Sequence, residues 1–133
     1  VSVIFSIQLA LYKKEKDDKI TPVVAIEEPE IHLHPKYQSL LAYMFYDACQ
    51  QGIRFIIETH SEYLIRRSQV LVSDLNCETQ LNLKEKNPFR VYYFPESGVP
   101  YDMVYKPDGF FVNSFGTGFL DEAGKWHLKL LSK

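Results

Sequence analysis

The amino-acid sequence predicts an α/β fold with a mainly parallel sheet, and two observations support this. Two short apolar runs, residues 23–26 and 53–57, each end in polar residues, and a helical pattern of apolar residues separates them. The order strand, helix, strand, helix is typical of a parallel βαβ unit with a right-handed crossover. Because parallel strands end at the same edge of a sheet, the polar residues that follow both runs are expected to meet there.

The first helix and the first strand are predicted at the start of the chain. Residues 1–14 carry apolar side chains at helical spacing and lead into the charged run KKEKDDK, which we interpret as a solvated connection. Residues 23–27 then form an apolar strand that Pro29 stops. This strand is expected to be buried.

A second helix is expected from residue 35 to residue 51, because Pro35 is favourable at the first position of a helix. Its apolar residues recur three and four positions apart and define one buried face. The next strand, residues 53–58, is also expected to be buried, and Ser61 can cap a third helix. The apolar face of the second helix comprises Tyr37, Leu40, Leu41, Met44, Phe45 and Ala48.

The second half of the chain carries weaker signals. The polar stretch 73–87 predicts a surface loop. Two strand-like segments, 90–94 and 101–105, flank the turn-rich sequence PESGVP and predict an antiparallel hairpin. A final amphipathic segment, 120–131, predicts a short helix. The aromatic residues of this half are expected to pack in the core and against the sheet, and they include Tyr92, Tyr93, Phe110 and Phe111.

Composition limits the classes of protein to which the chain can belong. A length of 133 residues and a hydrophobic content of 46% indicate one folded domain and argue against disorder. The formal net charge of −2 provides no global attraction to nucleic acid. Cys49 and Cys77 are isolated, which predicts a reducing, cytoplasmic location. Neither a signal peptide nor a long apolar run is present, so no membrane span is expected.

The sequence EEPEIHLHP, residues 27–35, places two adjacent carboxylates at the end of the first strand. Acids on a buried strand are costly unless a cation or a reacting proton requires them. Nucleotide hydrolysis requires both, since one carboxylate can hold the magnesium shell and the next can polarise the attacking water. Glu27 and Glu28 therefore predict a Walker B strand.

Together with the sequence ETHS at residues 58–61, this motif resembles the ABC-type ATPases, in particular the soluble branch that includes RecF, SMC-like and OLD-like proteins. EEPEIHLHP is similar to the Walker B and D-loop of that branch, and ETHS is similar to its switch-histidine loop. The resemblance covers roughly residues 1–67 and implies the C-terminal portion of a P-loop NTPase domain. It assigns residues 1–72 to the Walker B, D-loop and switch-histidine part, and residues 73–133 to the C-terminal strands and tail.

The resemblance implies ATP and Mg²⁺ as cofactors and a role for each matching residue. Glu27 would be the magnesium-associated acid, Glu28 the general base for water, and His60 the contact to the γ-phosphate. His32 and His34 would lie on the D-loop, which contacts a second ATPase subunit in a nucleotide-dependent dimer, and His34 would also be one of the residues that bind the cofactor. Glu27 stands where the family more often has Asp, and IHLH replaces the transporter-like SALD.

No phosphate-cradling sequence GxxxxGK[ST] occurs in the chain, and the nearest match, GFLDEAGKW, has the wrong glycine spacing and ends in Trp126. The resembled family carries this loop upstream, so we interpret the sequence, which begins at Val1, as a fragment that runs to the natural C-terminus and is inactive alone. Ser2 would then be the end of the signature motif, which binds the γ-phosphate of the opposite subunit. A helix-capping serine is the simpler alternative for Ser2.

A metal-dependent hydrolase is the alternative function. His32 and His34 alternate on an extended loop, and with Glu30, His60 and the neighbouring glutamates they could ligate a transition metal. The strand–helix–strand placement favours the ATPase instead. Under that hypothesis the full-length protein drives a DNA-repair or phage-defence machine, and DNA or a partner nuclease binds through parts outside this chain.

Overall fold

A computed structural model of the chain describes residues 3–79 and 87–132. The chain divides into a first unit, Val1–Ser68, and a second unit, Gln69–Lys133. Ser2, the expected remnant of a signature motif, lies outside the described residues. None of the helices in the described part of the chain is both long and apolar enough to cross a membrane.

The first unit follows the predicted order of elements. Its helices and strands are α1 (Val3–Lys16), β1 (Val23–Glu27), α2 (Pro35–Gln50), β2 (Arg54–Glu58) and the beginning of α3 (Glu62–Thr79). β1 and β2 pair in parallel and in register along their whole length. The prediction of a parallel βαβ unit is therefore confirmed.

The core of the first unit lies between one face of this sheet and helices α1 and α2. Side chains alternate along each strand, and the half-buried set packs against the helices. Phe45 of α2 is 3% exposed, and its ring centroid lies 5.0 Å from that of Phe55 on β2. The predicted apolar face of α2 is confirmed for Leu41, Met44, Phe45 and Ala48, which are buried or packed against the core. It is wrong for Tyr37 and Leu40, which are 56% and 46% exposed in the first turns of the helix, before the part that packs on the core. The buried core comprises Ile7, Ala10, Leu41, Phe45, Ala48, Ile53 and Leu64.

The opposite face of the sheet is open among the described residues. Val23 is 59% exposed and Ile56 is 66% exposed, although both lie within apolar strands. The expectation that both strands are buried is therefore wrong for this face. Two strands are fewer than most sheets contain, so apolar residues on the face away from α1 and α2 have no layer to pack against.

The second unit begins with the remainder of α3, and here one expectation is wrong. The polar stretch 73–87 predicts a loop, but α3 continues as a helix through Thr79. Leu71 and Val72, which lie directly before this stretch, are buried, so packing anchors α3 at the point where the polar stretch begins. Residues 80–86 of the expected loop lie outside the described residues.

The predicted hairpin is present in the second unit. β3 (Val91–Tyr93) pairs antiparallel with β4 (Tyr101–Met103). The helix α4 (Glu122–Leu131) follows, which confirms the final predicted helix. Each of these elements is shorter than the predicted segment, 90–94, 101–105 or 120–131, because residues at the ends of those segments do not take part in the strand pairing or in the helix.

An aromatic cluster forms the core beside the hairpin. The ring of Tyr93 contacts Tyr101 at 5.4 Å, Phe115 at 5.4 Å and Phe119 at 6.0 Å between centroids. Gly116 permits this packing, since a Cβ atom there would lie 2.7 Å from the Tyr93 hydroxyl. Phe111 joins the cluster through Phe115 at 5.5 Å.

The expectation of a packed role for all the aromatic residues is only partly confirmed. Tyr93 and Phe111 belong to the cluster, whereas Tyr92 is 55% exposed and Phe110 is 62% exposed. The two exposed rings are sequence neighbours of the two packed ones. Because adjacent side chains in an extended segment point to opposite faces, only one of each pair can reach the cluster.

Candidate functional site

The candidate site lies at the carboxyl ends of β1 and β2. Glu27 is the last residue of β1 and stands directly opposite Glu58, the last residue of β2. Both are exposed on the open face of the sheet. With Ala25, Ile26 and Ile56 they line an open depression on this part of the sheet. Two carboxylates therefore share one small area, and sequence reasoning identified only the first of them as functional.

Glu28 adds one more hydrogen bond to the β1–β2 pairing, and the chain then turns away from the sheet. Its N–H donates to the carbonyl oxygen of Glu58 at 2.8 Å, and its φ angle is 42°. A left-handed backbone conformation is unfavourable for residues other than glycine, at a cost of about 1–2 kcal/mol. The turn brings the Glu28 carboxylate Oε1 to 3.7 Å from Nε2 of His60.

Glu28 and His60 are therefore neighbours in space, as strand order predicts. Their side chains are 42% and 73% exposed, so both groups are accessible to water and to a ligand. A separation of 3.7 Å is too long for a direct hydrogen bond, so each group keeps capacity for another partner. A carboxylate can accept a proton, and an imidazole can donate a hydrogen bond to an anion.

Glu30 fixes the loop that carries His60. Its carboxylate Oε1 accepts a hydrogen bond from the Thr59 hydroxyl at 2.7 Å and another from the His60 N–H at 2.8 Å. The residue is 9% exposed. Sequence reasoning considered Glu30 only as a metal ligand and missed this role. The sequence shows only an acidic residue in a loop, because the burial of Glu30 and its donors about 30 positions further along the chain appear only in the folded structure.

Gln38 makes a second connection between the same two loops. Its carboxamide oxygen accepts from the Ser61 hydroxyl at 2.7 Å, and its amide nitrogen donates to the Leu33 carbonyl at 2.9 Å. Ser61 Oγ also accepts from the N–H of Leu64 at 3.3 Å. This contact confirms Ser61 as the N-cap of α3. Loops 28–34 and 59–61 are thus joined by side chains from both directions.

The two histidines of the first loop occupy different local positions. His34 is the N-cap of α2, where its Nδ1 accepts from the N–H of Lys36 at 3.3 Å. His32 adopts a left-handed conformation with a φ of 64°. Both side chains are exposed. Among residues 3–79 and 87–132, no group of three or more His, Cys, Asp or Glu side chains has the arrangement of a metal site. The ligand set expected for a metal-dependent hydrolase is therefore not assembled by these residues.

The thiol of Cys49 is a poor candidate for a nucleophile. It is a free, partly buried cysteine on α2, and desolvation by burial raises its pKa. Because the thiolate is the reactive form, a raised pKa leaves the group protonated and unreactive at neutral pH.

The region that contains these loops can be compared with known proteins. Residues 1–65 match the family model of the AAA ATPase domain (AAA_15). The AAA ATPase match includes β1, β2 and the loops that carry Glu28, Glu30 and His60. It implies a P-loop NTPase domain and an activity of nucleotide binding and hydrolysis in the full-length protein. Neither a curated protein nor a solved structure matches the chain.

Proposed function

We propose that this chain is the carboxyl-terminal portion of a soluble, ABC-type ATPase domain that binds and hydrolyses ATP with Mg²⁺. The observation that carries the proposal is the 3.7 Å approach of Glu28 and His60. The two residues follow neighbouring parallel strands, and both lie within the region that matches the AAA ATPase domain. An open α/β sheet binds its ligands at this edge.

Glu28 is the general base in this proposal. Its carboxylate is half-exposed, so it can reach a water molecule, and its position is set by the hydrogen bond of its own N–H to the Glu58 carbonyl. His60 lies beside it with Nε2 directed to within 3.7 Å of the carboxylate. An imidazole at this point can donate a hydrogen bond to a γ-phosphate oxygen while Glu28 accepts the proton of the attacking water.

Glu27 is the residue proposed to hold Mg²⁺. Its carboxylate and that of Glu58 occupy opposite positions in the parallel ladder, where neighbouring strands are about 4.8 Å apart. Two like charges at this spacing repel each other, and a divalent cation removes the repulsion. Carboxylate oxygens are also the ligands that Mg²⁺ prefers, so the donor set fits this metal. The bound ion supplies positive charge to the phosphates.

The remaining parts of the nucleotide site are proposed to come from residues outside this sequence. The open face of the sheet supports this, because Val23 and Ile56 present apolar surface that a folded domain normally covers. Further strands and helices, including a phosphate-binding loop, would complete the sheet there. Without them the chain has residues for water activation and metal binding and lacks the backbone amides that cradle phosphates.

A second ATPase subunit is the proposed partner. The D-loop segment carries exposed apolar side chains, with Ile31 51% exposed and Leu33 36% exposed beside His32 and His34. In the resembled family such a loop contacts the opposite subunit when nucleotide is bound. DNA repair or phage defence is the pathway that this branch of the family suggests, with DNA or a nuclease bound by other parts of the protein.

The substitution Glu28→Gln in the full-length protein tests the proposal. Glutamine keeps the shape of the side chain but cannot accept a proton from water, so we expect turnover to fall by about 10²–10⁴-fold. Nucleotide and Mg²⁺ binding should persist, and an ATP-bound dimer should accumulate. Steady-state ATPase assays, nucleotide titrations and size-exclusion chromatography measure these three effects.

Glu15→Gln is the matched control for this experiment. Glu15 is exposed on α1, so the same chemical change there should leave the rate unaltered. Near-normal hydrolysis in Glu28→Gln would refute the assignment of the general base.

A further inference from the structure

We propose that Glu30 is a positioning residue that holds His60 beside Glu28. This inference deepens the proposed function and depends on it for its effect on catalysis. Glu30 does not need to contact nucleotide in order to act. It reaches from the loop after β1 to the loop after β2 and bonds the backbone of the histidine itself.

Glu30 is bonded to two groups on either side of the peptide bond between Thr59 and His60. Carboxylate Oε1 accepts from the Thr59 hydroxyl and from the His60 N–H, at 2.7 and 2.8 Å. The imidazole of His60 is 73% exposed. An exposed ring gains little positional restraint from packing, so its place depends on where the backbone is held. Glu30 supplies that restraint through two short hydrogen bonds to an anionic acceptor.

The same loop carries the proposed general base. Glu28 lies two positions before Glu30, and its N–H is bonded to Glu58 at the end of β2. Glu28 and His60 do not bond each other across their 3.7 Å separation. The Glu28–Glu58 bond holds the first loop at the end of β2, and Glu30 is the side chain that bonds the backbone of His60 itself, so a change at Glu30 should move His60 relative to Glu28.

Thr59 extends this connection to the start of α3. Its hydroxyl donates to Glu30 and accepts from the N–H of Ser61 at 3.0 Å. Ser61 is bonded in turn to Gln38. Glu30 is thus the buried end of a continuous chain of hydrogen bonds that passes along residues 59–61.

The burial of the Glu30 side chain that these contacts require is energetically unfavourable. The residue is 9% exposed, and its second oxygen, Oε2, is buried with no partner among the described residues. A buried polar oxygen without a partner is unfavourable. This cost is consistent with a positioning role, because the same carboxylate restrains the backbone of His60, which is proposed to remain within reach of a phosphate.

Two conservative substitutions separate positioning from a direct role of the negative charge. Glu30→Gln keeps the length of the side chain and an oxygen acceptor for both donors, but removes the charge. Glu30→Asp keeps the charge but shortens the side chain by one methylene, so that its oxygens no longer reach both donors. Positioning requires reach, while metal binding or general-base chemistry requires charge.

We expect Glu30→Asp in the full-length protein to lower kcat by about 10²-fold, because a displacement of about 1 Å has effects of that size. The KM for ATP should change by less than about threefold, since the phosphate-binding residues are untouched. Glu30→Gln should retain most of the activity. His60→Ala should lower kcat with nucleotide binding intact, and adding Glu30→Asp to it should have little further effect. The pair Glu15→Asp and Glu15→Gln provides controls at an exposed site.

Hydrogen exchange provides a readout that is independent of activity. The backbone segment 58–62 should exchange faster in Glu30→Asp than in the wild type and should remain protected in Glu30→Gln. Faster exchange together with normal turnover in His60→Ala would support the positioning role and refute the catalytic role proposed for His60. Unchanged exchange in Glu30→Asp, additive effects of Glu30→Asp and His60→Ala, or a Glu30→Gln variant less active than Glu30→Asp would each overturn the inference.

Discussion

Glu28 combines an unusual backbone conformation with an accessible carboxylate. Its φ of 42° carries a cost of about 1–2 kcal/mol, and the hydrogen bond from its N–H to Glu58 helps to maintain it. Such conformations are found where the surrounding structure requires a particular side-chain position. Here the result is that consecutive glutamates differ in environment: Glu27 lies on the open face of the sheet and Glu28 lies beside His60.

This difference predicts separate consequences for the two acids. Glu27→Gln removes one unit of charge from the proposed metal position, so the Mg²⁺ concentration for half-maximal ATPase activity should rise by about tenfold or more. Turnover at saturating Mg²⁺ should fall less than it does in Glu28→Gln. Measuring the ATPase rate against Mg²⁺ concentration separates the two variants. An unchanged Mg²⁺ dependence in Glu27→Gln would remove Glu27 from the metal shell.

Two helices begin directly after the loops of the candidate site, and each start is capped by a residue of the loop. His34 caps α2, and Ser61 caps α3. Helix starts leave several N–H groups without intrahelical partners, and a cap that also bonds another element holds the helix in place. Ser61 does both, since its hydroxyl donates to Gln38 and accepts from Leu64.

Ser61→Ala should therefore destabilise the fold. Loss of an N-cap typically costs about 1 kcal/mol, and loss of the bond to Gln38 adds a similar amount, so we expect about 1–2 kcal/mol. Urea unfolding followed by circular dichroism measures the free energy of unfolding. Ser39→Ala is the control, because its hydroxyl bonds only within α2, to the Lys36 carbonyl, and its loss should cost less than about 0.5 kcal/mol. Equal effects of the two substitutions would show that the Ser61 bonds contribute little.

At the scale of the whole molecule, the residues of the proposed chemistry are all in the first unit. Glu27, Glu28, Glu30 and His60 lie within Val1–Ser68, which is also where the AAA ATPase match falls. The second unit has its own aromatic core beside its hairpin. The proposed ATPase activity therefore depends on completing the first unit at its open sheet face.

This dependence predicts that the 133-residue chain alone binds ATP weakly. Most phosphate contacts of a P-loop NTPase come from backbone amides and a lysine that act together, and each charge-assisted hydrogen bond contributes about 1.5–3 kcal/mol. Isothermal titration calorimetry with ATP and Mg²⁺ should show no binding in the micromolar range. The full-length protein is the positive control. A micromolar Kd for the isolated chain would show that these residues form a complete nucleotide site.

The sequence by itself determined the βαβ unit, the hairpin, the last helix and the meeting of Glu28 with His60. The hairpin and the last helix follow from local periodicity. The pairing of β1 with β2 and the approach of Glu28 to His60 are contacts between distant residues, but the strand–helix–strand order and the rule that parallel strands end at one edge predict both. The cap at Ser61 was predictable for the same reason, because capping involves only the next three residues.

Tertiary structure alone decided three other features. α3 continues through Thr79 although its last residues are polar, and it is anchored by the burial of Leu71 and Val72 directly before them, a tertiary contact that local composition does not show. One face of the β1–β2 sheet is not covered by any described residue. The apolar sequence of a strand does not show whether another layer packs on each of its faces. Glu30 bonds Thr59 and His60 across about 30 positions of sequence, and only the folded register of β1 and β2 places a carboxylate of the first loop beside an amide of the second.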